Sequence, residues 1–165
     1  MKCLIQRVKE AQVLIDNKVH AQIDQGLLVF VCAEPQDTEA TVKKAVDKLL
    51  NLRIFSDAET KMNLSLQQIN GGLLVVSQFT LAADTRRGNR PSFVNAAEPV
   101  LAKALYDAFL AYANSLHPTV ASGAFGADMQ VQLINDGPVT IPMSSWAAKN
   151  NEQGMRHSLL TRPLS

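Results

Sequence analysis

The sequence predicts an α+β domain with largely antiparallel sheets and two main helices. Three observations carry that expectation. Short apolar runs such as "KCLIQRV" and "LLVFVCA" are separated by tight turn chemistry, as in strands joined by hairpins. Two stretches instead repeat their apolar residues at helical spacing. And the 165-residue chain, with 47% hydrophobic and 19% charged residues, is of a size and composition to bury one core.

Taken in order, "KCLIQRV" and "AQVLI" read as two short strands. Asp16-Asn17-Lys18 is a turn, and "VHAQI" returns as a third strand. Gln25-Gly26 turns the chain into "LLVFVCA", whose continuous apolar character suits a central strand. "EPQDTEATVKKAVDKLLNL" reads as a helix, capped by Asp37 or Thr38, with Val42, Ala45, Val46, Leu49 and Leu50 on its apolar face. "RIFSDAETKMNLSL" is a short strand and a polar turn, and Asn70-Gly71-Gly72 precedes the strand "LLVVSQFTL". "AADTRRGNRPSF" is a loop. A second helix follows from Pro99 to Asn114, with Leu101, Leu105, Ala108, Phe109 and Tyr112 on one face and Pro99 in its first turn. "SGAFGAD" is a Gly-rich connection to "MQVQLIN", which runs into "NDGPVT". A Gly-Pro pair there ends the strand, makes a turn, or aims its backbone at something, because proline lacks a ladder donor.

Several function classes lose support at this level. A net charge of +1 gives no global basicity for nucleic acid, so any such contact is local, with Arg86, Arg87 and Arg90 as candidates beside the plainer reading of a solvated loop. No long apolar run suggests a membrane span or leader, which makes cytoplasm the expected location. Cys3 and Cys32 read as buried, reduced thiols. His20, His117 and His157 are scattered, so no metal site is expected.

Chemistry concentrates where "LLVVSQFTL" turns polar. Ser77 and Phe79 alternate onto one face, Gln78 and Thr80 onto the other. Thr80 or Ser77 offers a hydroxyl nucleophile, but no histidine lies near either in sequence to serve as base.

"SQFTLAAD" (77–84) and "NDGPVT" (135–140), with "LIQRV" at the start, resemble the D-aminoacyl-tRNA deacylases. The likeness continues through "RIFSDAETKMN", "RPSF" and "ALYDAF" and covers roughly residues 1–142. It implies hydrolysis of the ester of D-aminoacyl-tRNA, and of glycine mischarged on tRNA, with no metal or cofactor. It implies a homodimer in which a cis Gly137–Pro138 peptide from one subunit enters the other's pocket and rejects L-amino acids. Such a backbone wall excludes one stereochemical direction whatever the side chain, and lets glycine through.

The resemblance also implies site roles. Ser77 and Gln78 line the pocket near the scissile ester and the terminal adenosine of the tRNA. N–H groups around Phe79 and Thr80 stabilise the oxyanion. Thr80 is a nucleophile or, the favoured role, an orienting group, and the ribose 2′-hydroxyl assists. Arg7 holds the Gly-Pro loop, and Phe79 is pocket wall or core. The deacylase domain is expected over 1–145. Residues 146–165 extend beyond the family pattern, with Trp146 favouring some docking of their first part. The alternatives are a deacylase for an L-amino acid on tRNA, a catalytically idle RNA- or DNA-binding dimer, and a generic small-ester hydrolase.

Overall fold

The computed structural model describes residues 1–144; the expected extension at 146–165, including Trp146, lies outside the described residues. Eight strands and three helices run in the order β1 (Lys2–Ile15), β2 (Lys18–Ile23), β3 (Gly26–Cys32), α1 (Glu39–Asn51), β4 (Phe55–Ser56), β5 (Met62–Leu64), α2 (Leu66–Ile69), β6 (Gly72–Ser77), α3 (Pro99–Leu116), β7 (Val120–Ser122) and β8 (Gln130–Ser144). A single 3₁₀ turn, Phe79–Ala82, follows β6. The main sheet has the order β2-β1-β3-β6-β7, and β8 pairs with β1; β4 and β5 form a separate hairpin.

The α+β expectation holds, with refinements. The pairings of β1 with β2, β3 and β8 are antiparallel, but β3–β6 and β6–β7 are parallel. Parallel neighbours need a long crossover, and α1 and α3 lie in those two connections. The two strands expected before Asp16 are one, because β8 pairs with β1 over nearly its whole length and bridges the polar Lys9-Glu10 step. α2 and β7 were not expected; at four and three residues they are too short to show a period.

Thr38, not Asp37, caps α1. Its hydroxyl accepts from the Thr41 N–H while the Thr41 hydroxyl accepts from the Thr38 N–H, satisfying two otherwise orphaned donors. Asp37 instead receives the Met1 ammonium at 2.6 Å and the Glu34 N–H at 2.7 Å.

One core lies between the sheet and the helices. Ile5, Leu27, Val29, Leu73 and Val75 meet Val46 and Leu49 of α1 and Leu105 and Phe109 of α3. A second gathers Val8, Ala11, Val13, Ile23, Leu28, Leu74 and Val76 on the other face. Burial of both faces is why β3 and β6 read as unbroken apolar runs. α3 turns Tyr106 and Ala113 inward beside Leu105 and Phe109, while Leu101, Ala108 and Tyr112 of the expected face are only partly buried. Among the described residues no helix is long and apolar enough to cross a membrane. Cys3 and Cys32 are buried and free.

Candidate active site

The sheet ends abruptly at the most polar point of its central region. Val31–Ser77 is the last rung between β3 and β6, and the Gln78 N–H donates to the Val31 carbonyl at 2.8 Å. The chain then enters the 3₁₀ turn instead of continuing the strand expected to Leu81. Strand alternation therefore does not place Gln78 and Thr80. The turn does so, and the Gln78 side-chain amide donates to the Thr80 hydroxyl at 2.5 Å. The first N–H groups of a helical turn have no acceptor within it, so the main chain at Phe79 and Thr80 presents donors at the same place.

Ser77, Gln78 and Phe79 line a cavity of about 480 Å³. Its opposite wall is Phe125, Gly126, Ala127 and Asp128, from the segment read as a plain Gly-rich connection, continued by Met129 and by Val131 of β8. A cavity of this size suits a small-molecule moiety. Ser77 also borders a recess of about 10 Å³ with Cys32, Ala102 and Tyr106.

Tyr106 ties the two walls together. Its buried hydroxyl donates to the Val75 carbonyl at 2.9 Å and lies 3.4 Å from the Gly123 carbonyl, and the Gly123 N–H donates to Val75 at 2.9 Å. Burial pushes the Tyr106 hydroxyl up to about 12, so it stays a neutral donor. Sequence reasoning missed Tyr106 because its position on α3 is outside the expected apolar face.

Phe79 is 56% exposed and meets the Phe93 ring edge-on at 5.2 Å, so it is not core. Beside the turn, Asp84 and Ser92 bridge the ends of the arginine loop. Arg86 is committed to Asp84 by hydrogen bonds of 2.6 and 2.9 Å, which hold that carboxyl down at about 2. Burial raises the Cys3 thiol to about 12 and pushes Cys32 up as well, in keeping with buried, unreactive groups. Among the described residues no cluster of His, Cys, Asp or Glu could hold a metal. His20 is exposed on β2 and His117 is buried against the Gly71 carbonyl at 2.6 Å; His157 lies outside the described residues.

The second polar segment lies elsewhere in the subunit. Gly137–Pro138 is a cis peptide within the continuous β8, so the pair neither ends the strand nor makes an ordinary turn. Gln6 pairs with Thr140 and Val8 with Asn135, which leaves Asp136 to Val139 opposite the single residue Arg7. The excess is a bulge, with Gly137 and Pro138 exposed and Val139 buried. Arg7 spans its base: Nε donates to the Asp136 carbonyl and Nη1 to the Ile54 carbonyl, each at 2.8 Å. Asn135 closes its other side. Asn135 Oδ1 accepts from the Val139 N–H at 2.8 Å, and Nδ2 donates to the Val139 carbonyl at 3.2 Å and to the Thr140 hydroxyl at 2.9 Å.

One subunit does not bring the two segments together. β1 and β3 stand between β8 and β6. β8 does reach the cavity at Val131, but Gly137 and Pro138 do not line it; they stand six residues further along the strand, about 20 Å at an extended rise.

The arrangement is that of a hydrolase family built on an α+β sheet. The family model described as D-Tyr-tRNA(Tyr) deacylase matches residues 4–144. The chain belongs to this family. Similar proteins include the D-aminoacyl-tRNA deacylase of Pseudomonas fluorescens, 61% identical over 140 residues that cover 85% of this chain and 97% of the relative. That of Paracidovorax citrulli is 59% identical over 143 residues, covering 87% and 92%. A solved structure described as "c-Myc DNA Unwinding Element Binding Protein" superposes with a TM-score of 0.85 at 36% identity, covering 89% of this chain and all of the other. A probable eukaryotic D-amino acid tRNA deacylase shares the fold at a TM-score of 0.74 and 20% identity, covering 86% and 97%.

Proposed function

We propose that the protein hydrolyses the ester joining a D-amino acid to the terminal ribose of tRNA, releasing tRNA and the D-amino acid. Family membership, with Ser77-Gln78-Phe79-Thr80 at the mouth of a cavity of suitable size, is the observation that carries this reading. Water attacks the ester carbonyl. The N–H groups at Phe79 and Thr80 receive the developing oxyanion, where fixed dipoles need no reorganisation. Thr80, held by Gln78, orients substrate or water. An orienting role fits better than a nucleophilic one, because no histidine or lysine lines the cavity, and the Thr80 hydroxyl is engaged by Gln78 and not by Asp128, the carboxylate on the opposite wall. The terminal ribose 2′-hydroxyl supplies the remaining proton relay.

The protein acts as a homodimer. Gly137 and Pro138 of one subunit reach the cavity of its partner, and their exposure on a bulge far from the same chain's cavity supports this. There they form a backbone wall that leaves no room for an L-side chain, whereas glycine carries nothing to clash and is also removed. Arg7 anchors the wall, and Arg87 and Arg90, beside the already engaged Arg86, meet tRNA phosphates.

The DNA-related description of one structural relative raises nucleic-acid binding without turnover as the second reading. Deacylation of matched D-Tyr-tRNA and L-Tyr-tRNA by the purified protein, with Gln78→Ala alongside, separates the two. Loss of the D-ester alone, slowed by the substitution, is expected. Binding of both tRNAs with cleavage of neither would leave the second reading.

A further inference from the structure

The bulge on β8 presents a problem that its sequence alone does not solve. Asp136 to Val139 lie where the ladder to β1 is interrupted, yet Val139 is 7% exposed. A buried N–H and C=O without partners are costly, so something other than β1 must satisfy them. The side-chain amide of Asn135 does. It accepts from the Val139 N–H at 2.8 Å and donates to the Val139 carbonyl at 3.2 Å, pairing both main-chain groups of one residue as a neighbouring strand would. A further bond from Nδ2 to the Thr140 hydroxyl, at 2.9 Å, fixes the orientation of the amide. Arg7 holds only the other end of the bulge, at the Asp136 carbonyl.

We infer that Asn135 is the positioning residue that sets how far Gly137 and Pro138 stand out from the sheet, and thereby the selectivity between D- and L-aminoacyl esters. This rests on the proposal that those two residues form the wall of the partner's pocket. Asn135 touches no reacting atom. It holds the ends of the projecting segment together, two residues before Gly137 and one after Pro138. Without its amide, Val139 regains partners only if the main chain from Asp136 to Val139 shifts, and the dipeptide shifts with it. The bulk of the site, on β6 and the 3₁₀ turn, has no contact with Asn135 and keeps its geometry.

The test compares the full chain with Asn135→Ala, Thr140→Val and Val46→Ala on D-Tyr-tRNA and L-Tyr-tRNA, with the melting temperature of each. Val46 is fully buried on α1 in the first core, lines neither the cavity nor the bulge, and controls for plain destabilisation. Asn135→Ala is expected to lower the D-over-L ratio by about tenfold or more, chiefly through faster L-ester cleavage, the scale set by losing hydrogen bonds to a buried group. Thr140→Val, which only loosens the amide, moves the ratio the same way by less. It also carries the test if Asn135→Ala does not fold. Val46→Ala lowers the melting temperature and leaves the ratio alone. A wild-type ratio in Asn135→Ala or, where that variant does not fold, in Thr140→Val overturns the inference. A wild-type protein with no preference between the two esters overturns the parent proposal, and this one with it.

Discussion

Gln78 and Thr80 show how a short polar stretch acquires a shape its composition does not specify. The 3₁₀ turn brings the two side chains to 2.5 Å, so they form one unit and not two independent polar groups. Removing either should leave the other disordered. Gln78→Ala and Thr80→Val are each expected to slow D-Tyr-tRNA cleavage about tenfold, and the double variant to be scarcely slower than the worse single one, as for residues acting as a unit. Multiplying effects in the double variant would show that the pair is not coupled. Thr80→Ser keeps the hydroxyl and is expected to retain most activity in the same assay.

At the scale of elements, what was legible in the sequence depended on whether local signals sufficed. α1 and α3 were legible because a repeated apolar face and a cap or Pro99 are written locally. The end of β6 was not. Leu73 to Leu81 keeps its alternation, but β7 stops at Ser122 and β3 at Cys32, the residue in register with Gln78, so no ladder partner exists from Phe79 onward. That is tertiary information. The residues of the polar segment were found in the sequence, whereas their arrangement and the opposing wall at 125–129 were not. Gly137 illustrates the remaining part. Its φ of +149° and the 2.8 Å approach of the Val139 side chain to any added Cβ explain why glycine stands there, but neither is visible without the bulge.

The arginine loop is an element whose behaviour with pH follows from one pair. Arg86 lowers the Asp84 carboxyl below its ordinary value, to about 2. A depressed carboxylate contributes order that is complete above its unfolded value and is lost as pH falls through its folded one. Between pH 8 and about 4 the loop is therefore expected to keep its Asp84–Arg86 contact, and to lose it only towards pH 2. Carbon-13 NMR titration of the Asp84 carboxyl checks this. A midpoint near the ordinary carboxylate value would mean the contact is not held in solution. Arg86 is exposed and Asp84 half-buried at the surface, so little global stability should change with it.

At the scale of the whole molecule, the cavity and the Gly137–Pro138 bulge lie at different places on one subunit. The cavity opens at the end of β6 and touches β8 at Val131, while Gly137 and Pro138 project six residues further along β8 and do not line it. A two-fold dimer would complete two sites at once, because each subunit gives its bulge and receives the other's. Gln78→Ala alters the receiving cavity, and Gly137→Ala, strained at φ +149° and adding a methyl to the wall, is expected to distort the donated bulge enough to slow the D-ester as well, so the two variants impair different subunits' contributions to a site. Mixed after dissociation and reassembled, they form a heterodimer in which one site is doubly altered and the other wholly native. Equal mixing places about half of the subunits in heterodimers, so about a quarter of wild-type sites return. The decisive measurement is D-Tyr-tRNA deacylation by that reassembled mixture against each variant alone. Recovery to about a quarter of the wild-type rate is the expected result. A mixture no faster than the mean of its two components would contradict a site shared between subunits.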